Sequence, residues 1–394
     1  MVHNYYQQSG GEDRVLEREV NLLRENGLDV KIYSVSNNQI SNMNIFQKVS
    51  LLVSPIWSFR MYRKFKNYLL KNKPDIVHFH NFFPLISPSA YYACHSLNIP
   101  VVQTLHNYRL LCPAATFLRK NEICEKCLNG SILNSVKNGC YRDSVIQTLP
   151  VAAMIKFNKF IRTWDRKVDR YIALTEFAKK KFIEGGIPEP KIVVKPNFMA
   201  PKEKMPKINE KENYILFVGR ISKEKGVDIL ISAWEKILDK QGNKLLIVGD
   251  GPEKKLLEEQ YNQHKDIEFL GKLDEDQVLT FMKRAKYLVV PSIWYEGFPM
   301  TIIEAFSVGT PVIASNIGSL QEVVVHGQNG FHFNYGDSNA LKECLEMALK
   351  FNDYQDLIQN TFDIYLNNYT PDINFKMLMN IYNNVMMERK NGQR

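Results

Sequence analysis

Two carboxylates stand eight positions apart, Glu296 and Glu304, in the segment 291–306, PSIWYEGFPMTIIEAF. The pattern predicts a short apolar strand, a turn at Gly297 and Pro299, and then a helix. The start of a helix presents free backbone N–H groups and a positive dipole end, which favour bound oxygens and anions. We expect Glu304, one turn into the helix, to bind a vicinal diol and Glu296 to meet a sugar. The alternative is a surface Glu296 and a Glu304 that only stabilises its helix.

A second charged group, Arg220 and Lys225, lies in residues 217–226, FVGRISKEKG. This segment follows a predicted strand and precedes a predicted helix, which places both cations at the carboxyl end of a sheet strand, where open α/β folds bind ligands. Cations there suit a diphosphate, because they stabilise the negative charge that builds on a leaving phosphate oxygen. The alternative is two solvated loop cations. The glycine turn 248–252, VGDGP, is explained by helix-start rules, and we assign it no chemical role.

The elements that must position these residues alternate between strand and helix patterns along the 394-residue chain, which predicts doubly wound α/β domains. A polar, charge-rich run over 201–212 interrupts the alternation, so a hinge is expected near Pro196. The predicted strands are 30–35, 76–79, 101–104 and 170–174 before the hinge, and 214–218, 244–248, 267–269, 287–291 and 311–314 after it. The predicted helices after the hinge are 227–239, 252–263, 275–284 and 301–308.

Together these segments resemble the retaining glycosyltransferases of family 4. The family's carboxylate signature is Glu, seven residues, Glu, and its phosphate-binding signature is Gly-Arg, four residues, Lys-Gly, here residues 219–226. The resemblance implies a GT-B fold, in which two Rossmann-like domains face each other across a nucleotide-sugar cleft. It places an acceptor-binding domain at 1–196, a nucleotide-sugar-binding domain at 197–370, and a terminal helix at 371–394 that packs back on the first domain.

The resemblance also implies a role for each site residue. The diphosphate would lie on the cations, the ribose diol on one carboxylate, and the transferred sugar between the other carboxylate and a histidine. No cofactor or metal is expected for the transfer, because two cations and a helix terminus take the place of magnesium. The expected catalytic residues are Glu296, His106, Arg220 and Lys225; the expected donor-binding residues are Gly10, Gly11, Gly219, Phe298, Pro299, Met300, Thr301 and Glu304.

Gly10 and Gly11 open a predicted helix after the expected first strand, and they match the family's acceptor and phosphate loop. Glycines let backbone amides approach a ligand closely. Ser9 precedes them in this loop. Related chains carry a full apolar strand before the loop, whereas here only MVHN remains. Either the chain is shortened, or its start was assigned downstream of the true one, and the missing strand would be central.

Three histidines of the first domain attract attention. His106 ends the strand 101–105, and in the family a histidine at this place contacts the transferred sugar; Asp often follows it, but here Asn107 does. His78 and His80 alternate on one strand and share a face, which suggests a metal. Since the sequence shows no third carboxylate or histidine nearby, we expect a structural role for this pair.

Four cysteines, Cys112, Cys124, Cys127 and Cys140, form the pattern C-x11-C-x2-C-x12-C inside a loop-like insertion, 111–143. Four thiolates could close a tetrahedral structural zinc site, and a cytoplasmic setting argues against disulfides. The alternative is buried thiols without metal. Bound zinc would order a lid over the acceptor side rather than take part in the chemistry.

The formal net charge is +9, which suits an anionic partner. No run of eighteen apolar residues and no secretion signal occur, so a cytoplasmic protein is expected. No acidic residue lies between Asp29 and Asp75, and a second basic, aromatic stretch spans 154–167. Such helices can lie on the anionic inner face of a membrane, or they can be core helices with a solvated face. No nucleic-acid-binding module is recognised. The basic residues that surround the aromatic and aliphatic side chains of the first stretch are Lys48, Arg60, Arg63, Lys64, Lys66, Lys71 and Lys73.

We therefore expect a retaining glycosyltransferase of the hexosyltransferase type. It would move a sugar from a nucleotide diphosphate sugar to a cell-surface glycan or lipid-linked acceptor, as in capsule or O-antigen biosynthesis. The alternative is a catalytically silent, membrane-associated scaffold of a polysaccharide assembly complex. A nicotinamide-dependent oxidoreductase is disfavoured, because no Gly-x-Gly-x-x-Gly turn follows the first strand. Donor base, sugar, acceptor and linkage depend on variable loops.

Overall fold

A computed structural model describes residues 1–7, 10–44, 50–201 and 210–392. Contacts divide the chain into two compact units. Ser9, Lys48 and most of the charge-rich run 201–212 lie outside the described residues. The first unit comprises Met1–Phe117, Cys124–Pro196 and Asn374–Arg394, and the second comprises Leu118–Ile123 and Asn197–Ile373.

The first unit is built on a six-stranded parallel sheet. A separate two-stranded antiparallel hairpin lies within the predicted insertion and belongs to the second unit. In chain order the strands are β1 (Val2–Tyr5), β2 (Tyr33–Ser36), β3 (Val77–Asn81), β4 (Val101–Leu105), the hairpin strands β5 (Leu118–Arg119) and β6 (Glu122–Ile123), β7 (Arg170–Ala173) and β8 (Ile192–Val194). The sheet order is β2-β1-β3-β4-β7-β8. All four residues of β1 pair with β2, and Val2 and His3 also pair with β3, so β1 is an interior strand where we expected one to be missing.

Helices cover this sheet, and side-chain caps start several of them. Ser58 Oγ accepts from the Met61 amide at 3.1 Å, and Thr175 Oγ1 accepts from the Ala178 amide at 3.1 Å. Each bond satisfies an amide that the helix itself leaves open. Among the described residues of the first unit before Pro196, the α-helices are Gly11–Glu25, Phe59–Asn72, Ser89–Ser96, Leu133–Lys137, Val145–Phe160, Thr163–Arg166 and Glu176–Glu184.

The terminal helix, Pro371–Lys390, belongs to the first unit from Asn374 onward. Its apolar residues Leu378, Tyr382 and Val385 join a buried cluster with Leu23 and other residues of that unit. The cluster is apolar burial, the main favourable term in folding. This helix is therefore part of the core beneath the first sheet.

The second unit holds another six-stranded parallel sheet. Its strands are β9 (Tyr214–Val218), β10 (Lys244–Val248), β11 (Ile267–Gly271), β12 (Tyr287–Val290), β13 (Val312–Ser315) and β14 (Gly330–Phe333). The order β11-β10-β9-β12-β13-β14 reads 3-2-1-4-5-6 within the sheet, as in dinucleotide-binding α/β folds. Its helices are Val227–Glu235, Lys254–Tyr261, Glu275–Arg284, Met300–Ser307, Gly318–Val323, Ser338–Leu349 and Tyr354–Asn368.

The predicted fold class, α/β with two Rossmann-like sheets, is confirmed. The strand 244–248 and the helix 275–284 have the predicted bounds. The helix predicted for 227–239 ends at Glu235, and the apolar Leu238 within the predicted range is 98% exposed, so it does not extend the buried face. The strand β14 and the helices next to it carry no motif and were not predicted.

Candidate functional site

The order in which the chain adds strands to the second sheet reverses at the neighbouring strands β9 and β12. From β9 the chain moves to β10 and β11 on one side, and from β12 to β13 and β14 on the other. In the register of β9 and β12, Leu288 lies opposite Leu216. The loops that follow these strands, 219–226 and 291–299, therefore start side by side at the carboxyl edge. Open α/β sheets bind ligands in the crevice at such a switch point.

Backbone contacts hold these two loops together. The Ile293 amide donates to the Glu224 carbonyl at 3.0 Å. Gly226 has φ +67°, and a Cβ there would lie 2.1 Å from the Pro291 carbonyl oxygen. Only glycine combines this conformation with this approach. The motif glycine is thus required for the loops to meet.

The turn after β10 supports the 219–226 loop from below. The Ile221 amide donates to the Asp250 carbonyl at 3.0 Å. A Cβ at Gly249 would lie 1.8 Å from the Gly219 carbonyl oxygen, and one at Gly251 would lie 2.3 Å from that of Ile221. The turn contributes backbone packing, and we assign it no chemical role.

The loop contact brings Lys225 to Glu296. Lys225 Nζ donates to Glu296 Oε1 at 2.6 Å, and the same oxygen accepts from Ser292 Oγ at 2.7 Å and Trp294 Nε1 at 2.9 Å. Lys225 also lies 5.5 Å from the centre of the Trp294 ring. Glu296 is nearly buried, whereas Lys225 is a quarter exposed. The second Glu296 oxygen, Oε2, accepts no hydrogen bond from a described residue. Since it is also not among the buried atoms that lack a partner, it is accessible and can bind a hydroxyl.

The other two charged residues of the motifs differ in exposure. Arg220 is exposed, and its guanidinium makes no ion pair with any described residue, which leaves its planar fork available to a phosphate. Glu304 is 4% exposed and lies in the second turn of the helix Met300–Ser307. The structure thus assembles the loops of both motifs at one switch point.

The start of the helix Met300–Ser307 follows the predicted turn. Pro299 is the N-cap residue, and no side chain caps the helix. Phe298 and Met300 are buried, and the Phe298 ring lies 6.1 Å from that of Tyr369, while Thr301 is half-buried. The apolar side chains anchor the turn and leave its backbone amides to a ligand.

In the first unit, Gly10 is the N-cap of the helix Gly11–Glu25. The Gly10 amide donates to Asp13 Oδ2 at 3.1 Å, and Asp13 Oδ1 lies 2.7 Å from His3 Nε2. A Cβ at Gly10 or Gly11 would meet nothing within 4 Å. These glycines therefore border open space, which is compatible with the predicted ligand loop, although the Gly10 amide is already bonded.

His106 follows β4 and makes one side-chain hydrogen bond with the described residues. Its Nε2 lies 3.0 Å from His80 Nδ1, and the two rings are stacked with centroids 5.2 Å apart. His106 is partly exposed, whereas His80 is buried. Burial lowers the pKa of both histidines, and that of His106 lies well below its usual range.

A buried carboxylate, Glu19, lies behind these histidines. Glu19 Oε1 lies 3.1 Å from His80 Nε2 and 3.3 Å from His78 Nδ1, and Lys195 Nζ donates to Oε2 at 3.0 Å. Burial alone would raise the Glu19 pKa, but Lys195 and both histidines outweigh it and hold the pKa well below its usual range. Glu19 is therefore ionised inside the first unit.

The sequence-based view that no third ligand lies near His78 and His80 is wrong. Glu19 and the two histidines place ligand atoms within 4.8 Å of one another. The structural role still fits better than a metal. All three residues are buried, the Lys195 ammonium already neutralises Glu19, and the ring nitrogens of His78 bond Tyr382 at 2.7 Å and Thr104 at 2.8 Å.

Glu12 is a second carboxyl that the sequence did not single out. Asn107 Nδ2 donates to Glu12 Oε2 and Asn81 Nδ2 to Oε1, each at 3.5 Å. Burial raises the pKa of Glu12 to about 7 against the opposing effect of its bond with Tyr6. These groups follow β1, β3 and β4, so they lie with His106 at the carboxyl edge of the first sheet.

Two family descriptions divide the chain between them. Residues 9–203 match Glycosyltransferase Family 4, and residues 200–363 match Glycosyl transferases group 1. An uncharacterized glycosyltransferase of Methanocaldococcus jannaschii is 30% identical over 86% of this chain and 84% of its own length. The chain belongs to the group 1, family 4 glycosyltransferases.

Another uncharacterized glycosyltransferase of the same organism is 32% identical, over 44% of this chain and less than half, 46%, of its own length. The crystal structure of Anabaena HepE in complex with UDP and glucose is similar at 18% identity and TM-score 0.64, over 96% of this chain and 98% of that chain. This likeness confirms the GT-B fold of the glycosyltransferase.

The cysteines of this glycosyltransferase form no disulfide among the described residues. Burial raises the pKa of Cys127 to about 11, with a smaller contribution from Cys112. The four sulfurs do not form a group as compact as the ligand atoms around Glu19. Zinc at Cys112, Cys124, Cys127 and Cys140 therefore stays a prediction.

The glycosyltransferase also exposes apolar side chains on its two basic stretches. Phe59 is 57% exposed on the helix Phe59–Asn72, and Phe160 is 84% exposed at the end of the helix Val145–Phe160. Asn158 Nδ2 donates to the Ile56 carbonyl at 3.2 Å, which joins the two stretches. Within the described ranges, no helix has the length and apolar composition needed to cross a membrane.

Proposed function

We propose that this glycosyltransferase is a retaining enzyme of the hexosyltransferase type that uses a nucleotide diphosphate sugar. The observation that supports it most is the Lys225–Glu296 contact of 2.6 Å at the switch point of the second sheet. The contact joins the predicted phosphate loop to the predicted carboxylate loop, so one ligand can bind to both. Retention itself is proposed from the family.

In this proposal the donor's diphosphate binds Arg220 and Lys225, and the start of the helix Met300–Ser307 contributes backbone amides and its dipole. Glu304 binds the ribose diol, and Glu296 Oε2 binds a sugar hydroxyl. As the bond from the sugar to the phosphate oxygen breaks, negative charge grows on that oxygen. Fixed cations stabilise this charge more than they stabilise the ground state, and this difference lowers the barrier.

We place the acceptor on the first unit, at the carboxyl edge that carries Glu12, His106 and the open space at Gly10 and Gly11. A lipid-linked or cell-surface glycan acceptor fits the exposed aromatic residues near Arg63, Lys156 and other cations, which suit the anionic inner face of a membrane. Capsule and O-antigen are candidate products. The same surface is what a catalytically silent scaffold would use.

The test is a thermal-shift panel of UDP, GDP, ADP and their sugars on the wild type and on Glu304→Gln. Gln keeps the volume of Glu304 but loses the charge that accepts from a diol. We expect one nucleotide family to raise the Tm of the wild type and to do so less in Glu304→Gln. The matched control is Glu346→Gln, a third exposed on another helix of the same unit. No shift with any nucleotide, from folded protein, would refute the proposal and favour the scaffold.

A further inference from the structure

Four side chains of the first unit form one hydrogen-bonded line, Lys195–Glu19–His80–His106, with successive distances of 3.0, 3.1 and 3.0 Å. Lys195, Glu19 and His80 are buried, and His106 is the member that reaches the surface. The line thus runs from an enclosed ion pair to the carboxyl end of β4.

The donor and acceptor capacity of each group fixes the protons along this line. An ionised carboxylate only accepts hydrogen bonds, and a neutral imidazole carries one N–H and one lone pair. His80 must therefore carry its proton on Nε2, facing Glu19, and its Nδ1 must accept. The bond to Nδ1 must then come from a protonated Nε2 of His106.

His106 is left with an unprotonated Nδ1. This atom has no hydrogen-bond partner among the described residues. A buried atom in that position would count as unsatisfied, and Nδ1 does not, so it is accessible. We propose that Glu19 is a positioning residue that makes His106 a hydrogen-bond acceptor, through Nδ1, for a hydroxyl of the bound sugar. The contact with a sugar rests on the proposed function; the proton arrangement does not.

The variant Glu19→Gln should reverse the line. The Lys195 ammonium only donates, so it holds the carbonyl oxygen of the introduced amide, and the NH2 of that amide then faces His80 Nε2. That nitrogen must now accept, which moves the His80 proton to Nδ1 and the His106 proton from Nε2 to Nδ1. His106 changes from an acceptor to a donor at the surface, while every heavy atom keeps its place.

The proton positions are read from two-bond 1H–15N spectra of the protein labelled with 15N-histidine. The chain has eight histidines. The signal of His106 is assigned by its loss in His106→Asn. We expect the Nε2–H form in the wild type and in Glu17→Gln, an exposed control on the same helix, and the Nδ1–H form in Glu19→Gln. An Nδ1–H form in the wild type, or an unchanged form in Glu19→Gln, would overturn the inference. If Glu19→Gln does not fold, the wild-type spectrum decides alone.

Calorimetric titration with UDP and with UDP-glucose separates the two proposals. Loss of the hydrogen bond in His106→Phe, which keeps a ring without polar atoms, should weaken UDP-glucose binding about tenfold, with UDP binding changed less than about twofold. Glu19→Gln should weaken UDP-glucose binding less, because a hydroxyl can also accept from an Nδ1–H group. Equal weakening of both ligands would show a general structural effect and overturn the contact with a sugar hydroxyl. If the spectra are as expected but no nucleotide or nucleotide sugar binds the wild type, the proposed function fails and the proton arrangement stands.

Discussion

The contact between Lys225 and Glu296 leads to a prediction opposite to that for a simple binding residue. If Lys225 binds a diphosphate, the Glu296 carboxylate lies just behind the cation and repels the ligand. Glu296→Gln should therefore bind UDP more tightly than the wild type. Gln still accepts from Ser292 and Trp294, so the loop should keep its shape.

The magnitude follows from the geometry. The Lys225–Glu296 distance is 2.6 Å, and a charge-assisted bond to phosphate adds about 2.8 Å, so the two anions lie at most about 5.4 Å apart. Their repulsion is about 0.8 kcal/mol at the dielectric of water and about 3 kcal/mol at an effective dielectric of 20. Since Lys225 is a quarter exposed, we expect about 1 kcal/mol, or roughly fivefold tighter binding.

The assay is calorimetric titration of UDP at fixed ionic strength. Glu268→Gln is the matched control, because it removes the same charge from a surface pair with Lys244, 3.9 Å apart, in the same unit. The control should leave UDP affinity within about twofold of the wild type. Unchanged or weaker binding of UDP by a folded Glu296→Gln would refute the assignment of Lys225 to the diphosphate. Lys225→Met should weaken UDP binding whichever result Glu296→Gln gives.

Burial raises the pKa of Glu12 from 4.5 to about 7. The stability that the protonated carboxyl contributes is therefore complete below pH 4.5 and is lost as the pH rises through about 7. Urea unfolding of the wild type and Glu12→Gln should diverge between about pH 5 and pH 8, and parallel curves would contradict this. For the cysteines, metal analysis should find about one zinc per chain, lost in Cys127→Ser and kept in Cys344→Ser; zinc-free wild type would disprove the site. Phe160→Ser should reduce sedimentation with anionic vesicles about tenfold or more, since burying one Phe contributes about 1.5–3 kcal/mol. The exposed control Leu238→Ser should not, and equal effects would refute a specific membrane face.

Local patterns were enough for the elements that carry the donor motifs. The helix Glu275–Arg284 has its predicted bounds because Asp274 and Gln277 form a reciprocal cap, with bonds of 2.8 and 3.1 Å, that is encoded in four consecutive residues. The end of the strand 244–248 is also set by a local signal, the glycine turn that follows it. The strand β14 lies after the motif region and has only a short apolar run, which does not distinguish strand from helix.

The site depended on distances along the chain that local patterns do not contain. Lys225 and Glu296 are 71 residues apart, and each motif predicted its own loop but not the ion pair between them. Glu19 was missed although a signal existed. It stands among the buried Leu16, Val20 and Leu23 of its helix, and a carboxylate on the apolar face of a helix needs a buried cation or donor.

The role of the buried pair of Glu19 and Lys195 is better explained by the direction of the hydrogen bonds that it sets than by a contribution to stability. Desolvation costs several kcal/mol for each ion, and apolar residues of similar volume often replace such pairs without loss of stability. A carboxylate differs from an apolar side chain, and from an amide, in that it only accepts. This property fixes the proton of His80 and, through it, that of His106. The stability of the pair and the proton position at His106 are thus separable quantities, and Glu19→Leu with Lys195→Met would remove the acceptor that fixes the proton while largely keeping the stability.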